Sequence, residues 1–149
     1  MLKARASFAA QIANIDPQWL NQIIFEGKYP CAPKTVRGSS RIFNEIDLIV
    51  LFIYGVYLKK YPAGLAGYLA CKIHGQLTET PDEAEIVLVL LMNGAWHAID
   101  GSSFKGHAHS FNGAFVLETR YIDIENVRAH VRNEVADEEA RGADDSDED

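Results

Sequence analysis

The apolar run from Ile46 to Leu58 constrains the fold of this chain most. It spans 13 positions, with Asp47 near one end and Lys59-Lys60 after the other, which is too short for a membrane-spanning helix. At helical spacing the apolar side chains form one face and occupy much of the rest, and such a helix must be covered on several sides. The sequence therefore predicts a core helix, and any apolar excess on it is a candidate dimer contact.

The composition fits one ordinary globular protein without a covalent framework. The chain has 149 residues, of which 48% are hydrophobic, enough for a substantial core without disulfides or metals. Cys31 and Cys71 lack metal-ligand spacing and predict reduced thiols in a cytoplasmic protein. The N-terminus has no signal-peptide pattern, and no membrane segment is expected.

The formal net charge of −7 is concentrated at one end of the chain. Nine acids and one base lie between Glu134 and Asp149, whereas the first 133 residues carry 13 bases and 12 acids. The tail, 134–149, has few apolar side chains, so we expect it to be disordered. It is a candidate competitor for a basic surface, or a contact for RNA polymerase or another protein, although most such tails only solubilise.

One segment of the near-neutral body is basic. Gly27 to Asn44 contains four bases and no carboxylate. A local positive field attracts phosphate. Taken alone, the same composition is also typical of a solvated loop, so the neighbouring elements decide between the two interpretations.

Two short helices precede this segment. Ser7 is placed to cap the first, and Asp16-Pro17 is a strong start for the second, which Gly27 ends. Two helices joined by a three- or four-residue turn predict a helix-turn-helix unit. The outward face of the second helix carries three amides that can bond adenine in a major groove, namely Gln18, Asn21 and Gln22.

After Gly27 the pattern predicts a small hairpin, with strands at residues 35–37 and 41–43. Asn44 then caps the core helix, and a further helix is expected from Gly64 to Leu77.

The rest of the chain has mainly strand signals. Asn93-Gly94 between apolar runs, Ile86 to Met92 and Ala95 to Ile99, predicts a hairpin. A strand from Ala114, continuing toward Ile122, and a last helix capped by Asp123 follow. The strands are a second candidate for a dimer contact.

This order of elements resembles the MerR-like winged helix-turn-helix family. The family's second helix ends in Leu-Arg-Tyr-Tyr-Glu-x-x-Gly-Leu-Leu-Pro, and residues 20–30 align with that run without a gap. The next segment matches better, through Gly38, Arg41, Phe43, Glu45, Asp47 and Leu48. The resemblance covers Ser7 to Leu77, about half of the chain. It implies a winged helix-turn-helix domain at 1–77. Together with the strand signals and the acidic composition described above, this predicts an α+β protein with a β-rich region at 78–133 and the tail at 134–149.

The resemblance implies a DNA-binding transcriptional regulator. Bases would hold phosphates while the second helix reads base edges. Because one such domain engages few phosphates, we expect a homodimer on double-stranded DNA. The expected DNA-contacting residues are Gln18, Trp19, Asn21, Gln22, Lys28, Lys34, Arg37, Ser39, Ser40 and Arg41.

The departures from the family define the alternatives. Asn21 and Gln22 replace an arginine and a tyrosine that help to hold DNA, and no coiled coil follows Leu77, a layout closer to excisionases and terminase small subunits. A phage-type DNA-architectural protein and a protein-interaction module therefore stay open. At any one position the amide is equally well explained as part of a solvated helix face. In the same way, Arg41 is equally well explained as the ion-pair partner of Glu45 or Asp47.

An enzyme is not expected. His97, His107 and His109 suggest a metal only weakly, because no carboxylate or cysteine except Asp100 lies at a ligand spacing. Ser102 and Ser103 lack a nucleophile-elbow motif. The sequence predicts no catalytic residue, metal or cofactor.

Overall fold

The computed structural model describes residues 2–35 and 40–142, which form a mixed α+β protein, as predicted. In chain order the elements are β1 Lys3–Arg5, α1 Ala6–Ala13, α2 Pro17–Phe25, β2 Ile42–Asn44, α3 Glu45–Tyr57, α4 Ala63–Glu79, β3 Glu85–Leu91, β4 Trp96–Asp100, α5 Gly101–Phe104, β5 Ser110–Phe111, β6 Ala114–Asp123 and α6 Ile124–Gly142. β1 pairs with β2, and the second sheet has the order β4-β3-β6-β5.

Side-chain caps fix the starts of three helices, as predicted. Asp16 accepts the backbone N–H of Trp19 at 3.0 Å, and Asp123 accepts that of Asn126 at the same distance. Asn44 and Asp47 form a reciprocal capping box at the start of α3. The prediction for Ser7 is wrong, because α1 begins at Ala6, after Arg5, and has no side-chain cap.

The predicted core helix is confirmed as the centre of the molecule. Six hydrophobic residues of α3 are buried, as are Asp47 and Gly55, and α1, α4 and α6 pack around the helix. One continuous buried cluster joins Ala4 near the N-terminus, α3, the inner face of β3 and Val135 of α6. The apolar excess of α3 is therefore internal, and among its large side chains only Val56 is substantially exposed.

The predicted hairpin after Gly27 takes a different form. Ile42–Asn44 is a strand, but its partner is β1 at the N-terminus, with Ala4 opposite Phe43. Residues 36–39 of the expected partner strand and turn lie outside the described residues. β1 was not predicted, because a three-residue strand is too short to show an alternating pattern.

β3, a central strand of the four-stranded sheet, is covered on both faces. Asn93-Gly94 forms the expected turn between β3 and β4, and Gly94 has a positive φ of 90°. Ile86 and Leu88 join the main core, whereas Val87 and Val89 belong to a second buried cluster. Phe104 and Phe111, from the segment between β4 and β6, pack against that second cluster.

The C-terminal helix is longer than expected. α6 continues to Gly142, so the predicted disorder does not begin at Glu134. Val131 and Val135 are buried, and Arg132 forms an ion pair with Glu45 of α3. Packing of a few apolar residues against α3 therefore orders a helix whose remaining surface is polar. Residues 143–149 lie outside the described residues.

The prediction of reduced cysteines is wrong for this structure. Cys31, which follows α2, and Cys71 of α4 form a disulfide across 40 residues of sequence. The backbone N–H of Cys31 also donates to Cys71 Sγ at 3.2 Å.

Over residues 2–35 and 40–142, no helix combines the length and the apolar character that crossing a membrane requires.

Candidate nucleic-acid interface

The polar face of α2 is open to solvent. Leu20 and Ile23 are buried against the core, whereas Gln18, Asn21 and Gln22 are exposed. Because Asp16 and Pro17 fix the start of the helix, the orientation of this face follows from the sequence. Trp19, which the sequence also placed at the interface, is 47% exposed. An exposed tryptophan beside amides supplies an apolar and a polar contact on one surface.

A cleft brings α2 and the basic segment together. It has a volume of about 320 Å³ and lies between the start of α1, the first turns of α2 and residues on both sides of 36–39. Asn21, Ser40 and Arg41, three of the predicted contact residues, line it. The other described residues that line it are small, apolar or uncharged: Ala6, Ser7, Pro17, Leu20 and Thr35.

Arg41 lines the cleft together with Asn21 of the amide face, and it also has a structural contact. Its half-buried guanidinium donates to the carbonyl oxygen of Pro33, which closes the base of the segment between them. The alternative pairing with an acid of α3 is not formed in the structure. Glu45 instead pairs with Arg132, and Asp47 bonds His74 at 2.9 Å.

Glu26 is a functional neighbour that the sequence analysis missed. One carboxylate oxygen lies 2.9 Å from Lys28 Nζ, and the other accepts from Gln22 Nε2 at 2.7 Å. The Gln22 hydrogen bond and then the Lys28 charge hold the pKa of Glu26 below its usual value. This carboxylate therefore reduces the charge that Lys28 presents and occupies the amide of Gln22. Its position four residues after Gln22 was the available signal.

Of the other predicted bases and hydroxyls, two are exposed and two lie outside the described residues. Lys34 and Ser40 are exposed. Arg37 and Ser39 lie outside the described residues. The structure therefore brings Asn21, Ser40 and Arg41 to one cleft, with Gln18 on the exposed face of the same helix.

β1 adds two bases that the sequence analysis did not include. Lys3 pairs in register with Asn44, and Arg5 with Ile42 beside Arg41. Both side chains are exposed, and Ala6 and Ser7 of the cleft follow directly in the chain. The N-terminal strand thus adds two bases in the chain just before residues that line the cleft.

The histidines take part in aromatic packing. The rings of His97 and His107 lie 5.0 Å and 4.8 Å from that of Phe111. Ser102 donates to Glu83 and Ser103 to Asp100, contacts that hold the start of α5. Across the part of the chain that is described, no group of three or more histidine, cysteine, aspartate or glutamate side chains is arranged to hold a metal.

Comparisons of the chain with protein-family profiles and with curated protein sequences find no match.

Proposed function

We propose that this protein is a sequence-specific DNA-binding transcriptional regulator. In this proposal α2 enters the major groove of double-stranded DNA and the basic segment contacts the phosphate backbone. The observation that carries it is the shared cleft, in which Asn21 of the amide face and Arg41 of the basic segment lie on one surface.

The division of labour follows from the residue types. Gln18 and Asn21 carry amides that bond adenine through two atoms, and both are exposed on α2. Lys34, Arg41 and the β1 bases supply the charge that attracts phosphate. Gln22 and Lys28 would join them only after leaving Glu26, because both contact its carboxylate in the free protein.

Salt dependence of binding tests the phosphate contacts. We expect binding of a fluorescent random duplex to weaken steeply as potassium chloride rises, by fluorescence anisotropy. A Lys34→Ala, Arg37→Ala variant loses two phosphate contacts, so the slope of log K against log salt falls by about 2. Arg41 is left intact here because of its contact with Pro33. The matched control is Lys59→Ala, Lys60→Ala, two exposed bases beyond α3.

Selection of bound fragments from genomic DNA tests the base contacts. We expect an inverted-repeat site with A·T pairs opposite α2. Asn21→Ala should weaken binding to that site about tenfold, the value of one lost bidentate contact, with little change on random duplex. Equal losses on both DNAs would contradict base readout by Asn21.

A protein-interaction module is the second candidate function. Lys28 is paired with Glu26 and Arg41 is bonded to Pro33, so two of the four bases of the segment are already engaged. Duplex binding that is weak and insensitive to salt would favour this candidate. A phage-type DNA-architectural protein would bend the duplex without enriching a sequence in the selection.

A further inference from the structure

β6 has one long open edge. On one side it pairs with β3 from Val116 to Asp123. On the other side β5 pairs with Ala114 and Phe115, and Val116 N–H donates to His109 just before β5. Within residues 2–35 and 40–142, no strand pairs with residues 117–123 on that second side. Open edges of this length attract another strand unless proline, charge or a covering element blocks them.

The hydrogen bonds of β3 show which groups of β6 point to the open edge. Leu91 N–H donates to Ala95 on the β4 side, and Met92 N–H donates to Phe115 on the β6 side. Since successive residues direct their backbone groups to opposite sides, Leu88 and Leu90 face β6. Their register partners there are Arg120 and Glu118. Thr119 and Tyr121 therefore direct their N–H and C=O groups to the open edge.

Large apolar side chains are exposed along the same strand. Phe115, Leu117 and Tyr121 are 71%, 61% and 59% exposed. Several exposed apolar side chains on one strand mark an interaction surface. α3, the other candidate for a dimer contact, is buried on nearly all sides.

The strand is complementary to itself when the two-fold axis lies at Thr119. Antiparallel pairing about a two-fold axis at Thr119 joins the outward groups of Thr119 to those of the same residue in the second copy. Glu118 then lies opposite Arg120, and Leu117, where the register of β6 with β3 shifts by one residue, lies opposite Tyr121, each pair occurring twice. A two-fold axis at Arg120 would instead place two guanidinium groups opposite each other, which is destabilising.

The charges at this edge are held in place. Arg120 Nε donates to Glu118 at 3.1 Å, and the guanidinium lies 4.9 Å from the ring centre of Trp96. Glu118 and Arg120 carry opposite charges two residues apart on an open strand. An antiparallel second copy places each charge opposite its counterpart, which a partner strand of uniform charge does not.

We infer that the partner at this edge is a second copy of the same chain, paired β6 to β6 with Thr119 on the two-fold axis. The two sheets then form one continuous sheet across the dimer. The biological role of this dimer rests on the proposed function, because two copies would read two half-sites of DNA. The physical basis of the dimer is β6 alone.

The test of the partner is the mass of the full chain in solution without DNA. Sedimentation velocity over a range of concentrations should give twice the chain mass of 16.6 kDa. Glu118→Arg places like charges opposite Arg120 and should weaken the dimer at least tenfold. Glu79→Arg, the same change on an exposed position of α4, should leave the dimer intact. A monomeric wild type, or a dimer equally stable in both variants, overturns the inference.

Cysteine cross-linking tests the register. The two native cysteines are joined to each other, so an introduced thiol is the reactive one. Directly paired residues have Cα atoms roughly 5.5 Å apart, within the range of a disulfide. Thr119→Cys should therefore form a covalent dimer on oxidation. Tyr121→Cys should not, because its two copies would lie about 14 Å apart along the strand. Leu117→Cys combined with Tyr121→Cys should restore the cross-link.

The outcomes separate this inference from DNA binding. If Tyr121→Cys forms the cross-link and Thr119→Cys does not, the proposed register is wrong. If the chain forms a larger assembly exclusively with another protein, the partner is not a second copy. A dimer that binds no duplex leaves the inference standing and removes the proposed function. A monomer that binds duplex does the reverse.

Discussion

Two tyrosines of α3 have hydroxyl groups in contrasting situations. Tyr54 Oη donates to the carbonyl oxygen of Ala63 at 3.2 Å, whereas Tyr57 Oη is buried without a hydrogen-bond partner among the described residues. A hydrogen bond formed within the protein contributes about 1 kcal/mol to the free energy of unfolding. A buried hydroxyl without a partner lowers that free energy by about as much.

Replacing each of these tyrosines with phenylalanine should therefore change stability in opposite directions. Tyr54→Phe should lower the free energy of unfolding by about 1 kcal/mol, and Tyr57→Phe should leave it unchanged or raise it by a similar amount. Urea unfolding at neutral pH, followed by circular dichroism, measures both. A greater loss in Tyr57→Phe than in Tyr54→Phe would show that its hydroxyl has a partner.

Tyr54 also makes stability depend on alkaline pH. Burial raises the pKa of Tyr54 to about 12, whereas an unfolded tyrosine ionises near 10. The neutral side chain therefore favours the folded state fully below about pH 10, and this contribution is lost as the pH rises toward 12.

In Tyr54→Phe this loss is absent. We expect the free energy of unfolding to fall less steeply between pH 10 and 12 than in wild type, by up to about 1.4 kcal/mol per pH unit. Tyr68→Phe, at an exposed position, is the control and should keep the wild-type slope. Parallel curves for all three proteins would refute the assignment to Tyr54.

At the scale of the element, two glycines of α4 are in opposite surroundings. A methyl group on Gly67 would overlap the carbonyl oxygen of Lys28, whereas one on Gly75 would meet nothing within 4 Å. The segment that follows α2 therefore approaches the backbone of α4 directly. Glycine at position 67 sets the position of Lys28 at the edge of the candidate interface.

Alanine at these two positions should act differently. Gly75→Ala should stabilise the protein by about 1 kcal/mol through helix propensity. Gly67→Ala should destabilise it by about 2 kcal/mol, because the overlap outweighs the same propensity gain. Thermal unfolding compares the two variants. If both gain stability, the segment at Lys28 is free to move away from α4.

Much of the element order was predictable because local chemistry determines it. Asp16 and Asn44 cap helices through bonds to residues three positions away, and Asn93-Gly94 sets a turn between adjacent strands. The long apolar run likewise identified α3 as the core. Signals of this kind need no knowledge of the rest of the fold.

The features that were missed depend on distant partners. β1 is a strand only because β2, about 40 residues later, pairs with it. α6 continues past Glu134 with Val131 and Val135 packed in the main core, and the Cys31–Cys71 bond requires α4 to lie beside the end of α2. At the candidate interface, the amides were found from their spacing, whereas the role of Glu26 depends on the geometry of three side chains.

At the scale of the whole molecule, the disulfide constrains the unfolded chain. It closes a loop over 40 residues that includes the basic segment from Cys31 onward and all of α3. In the chain-entropy description, a loop of this length contributes about 4 kcal/mol to stability.

Reduction should therefore lower the free energy of unfolding by about 4 kcal/mol, as measured by urea unfolding with and without dithiothreitol. A Cys31→Ala, Cys71→Ala variant should be less stable than oxidised wild type and insensitive to the reductant. An unchanged midpoint for reduced wild type would mean that the folded state, rather than the cross-link, restricts these segments.

The same covalent bond determines what a protease produces from the native protein. Lys34 and Arg41, the tryptic sites that flank residues 36–39, both lie between the two bonded cysteines. A single cut at either site opens the backbone but leaves both fragments attached. The nicked molecule would migrate as one species on a non-reducing gel and separate only after reduction. A single band without reductant therefore does not show that the backbone is uncut.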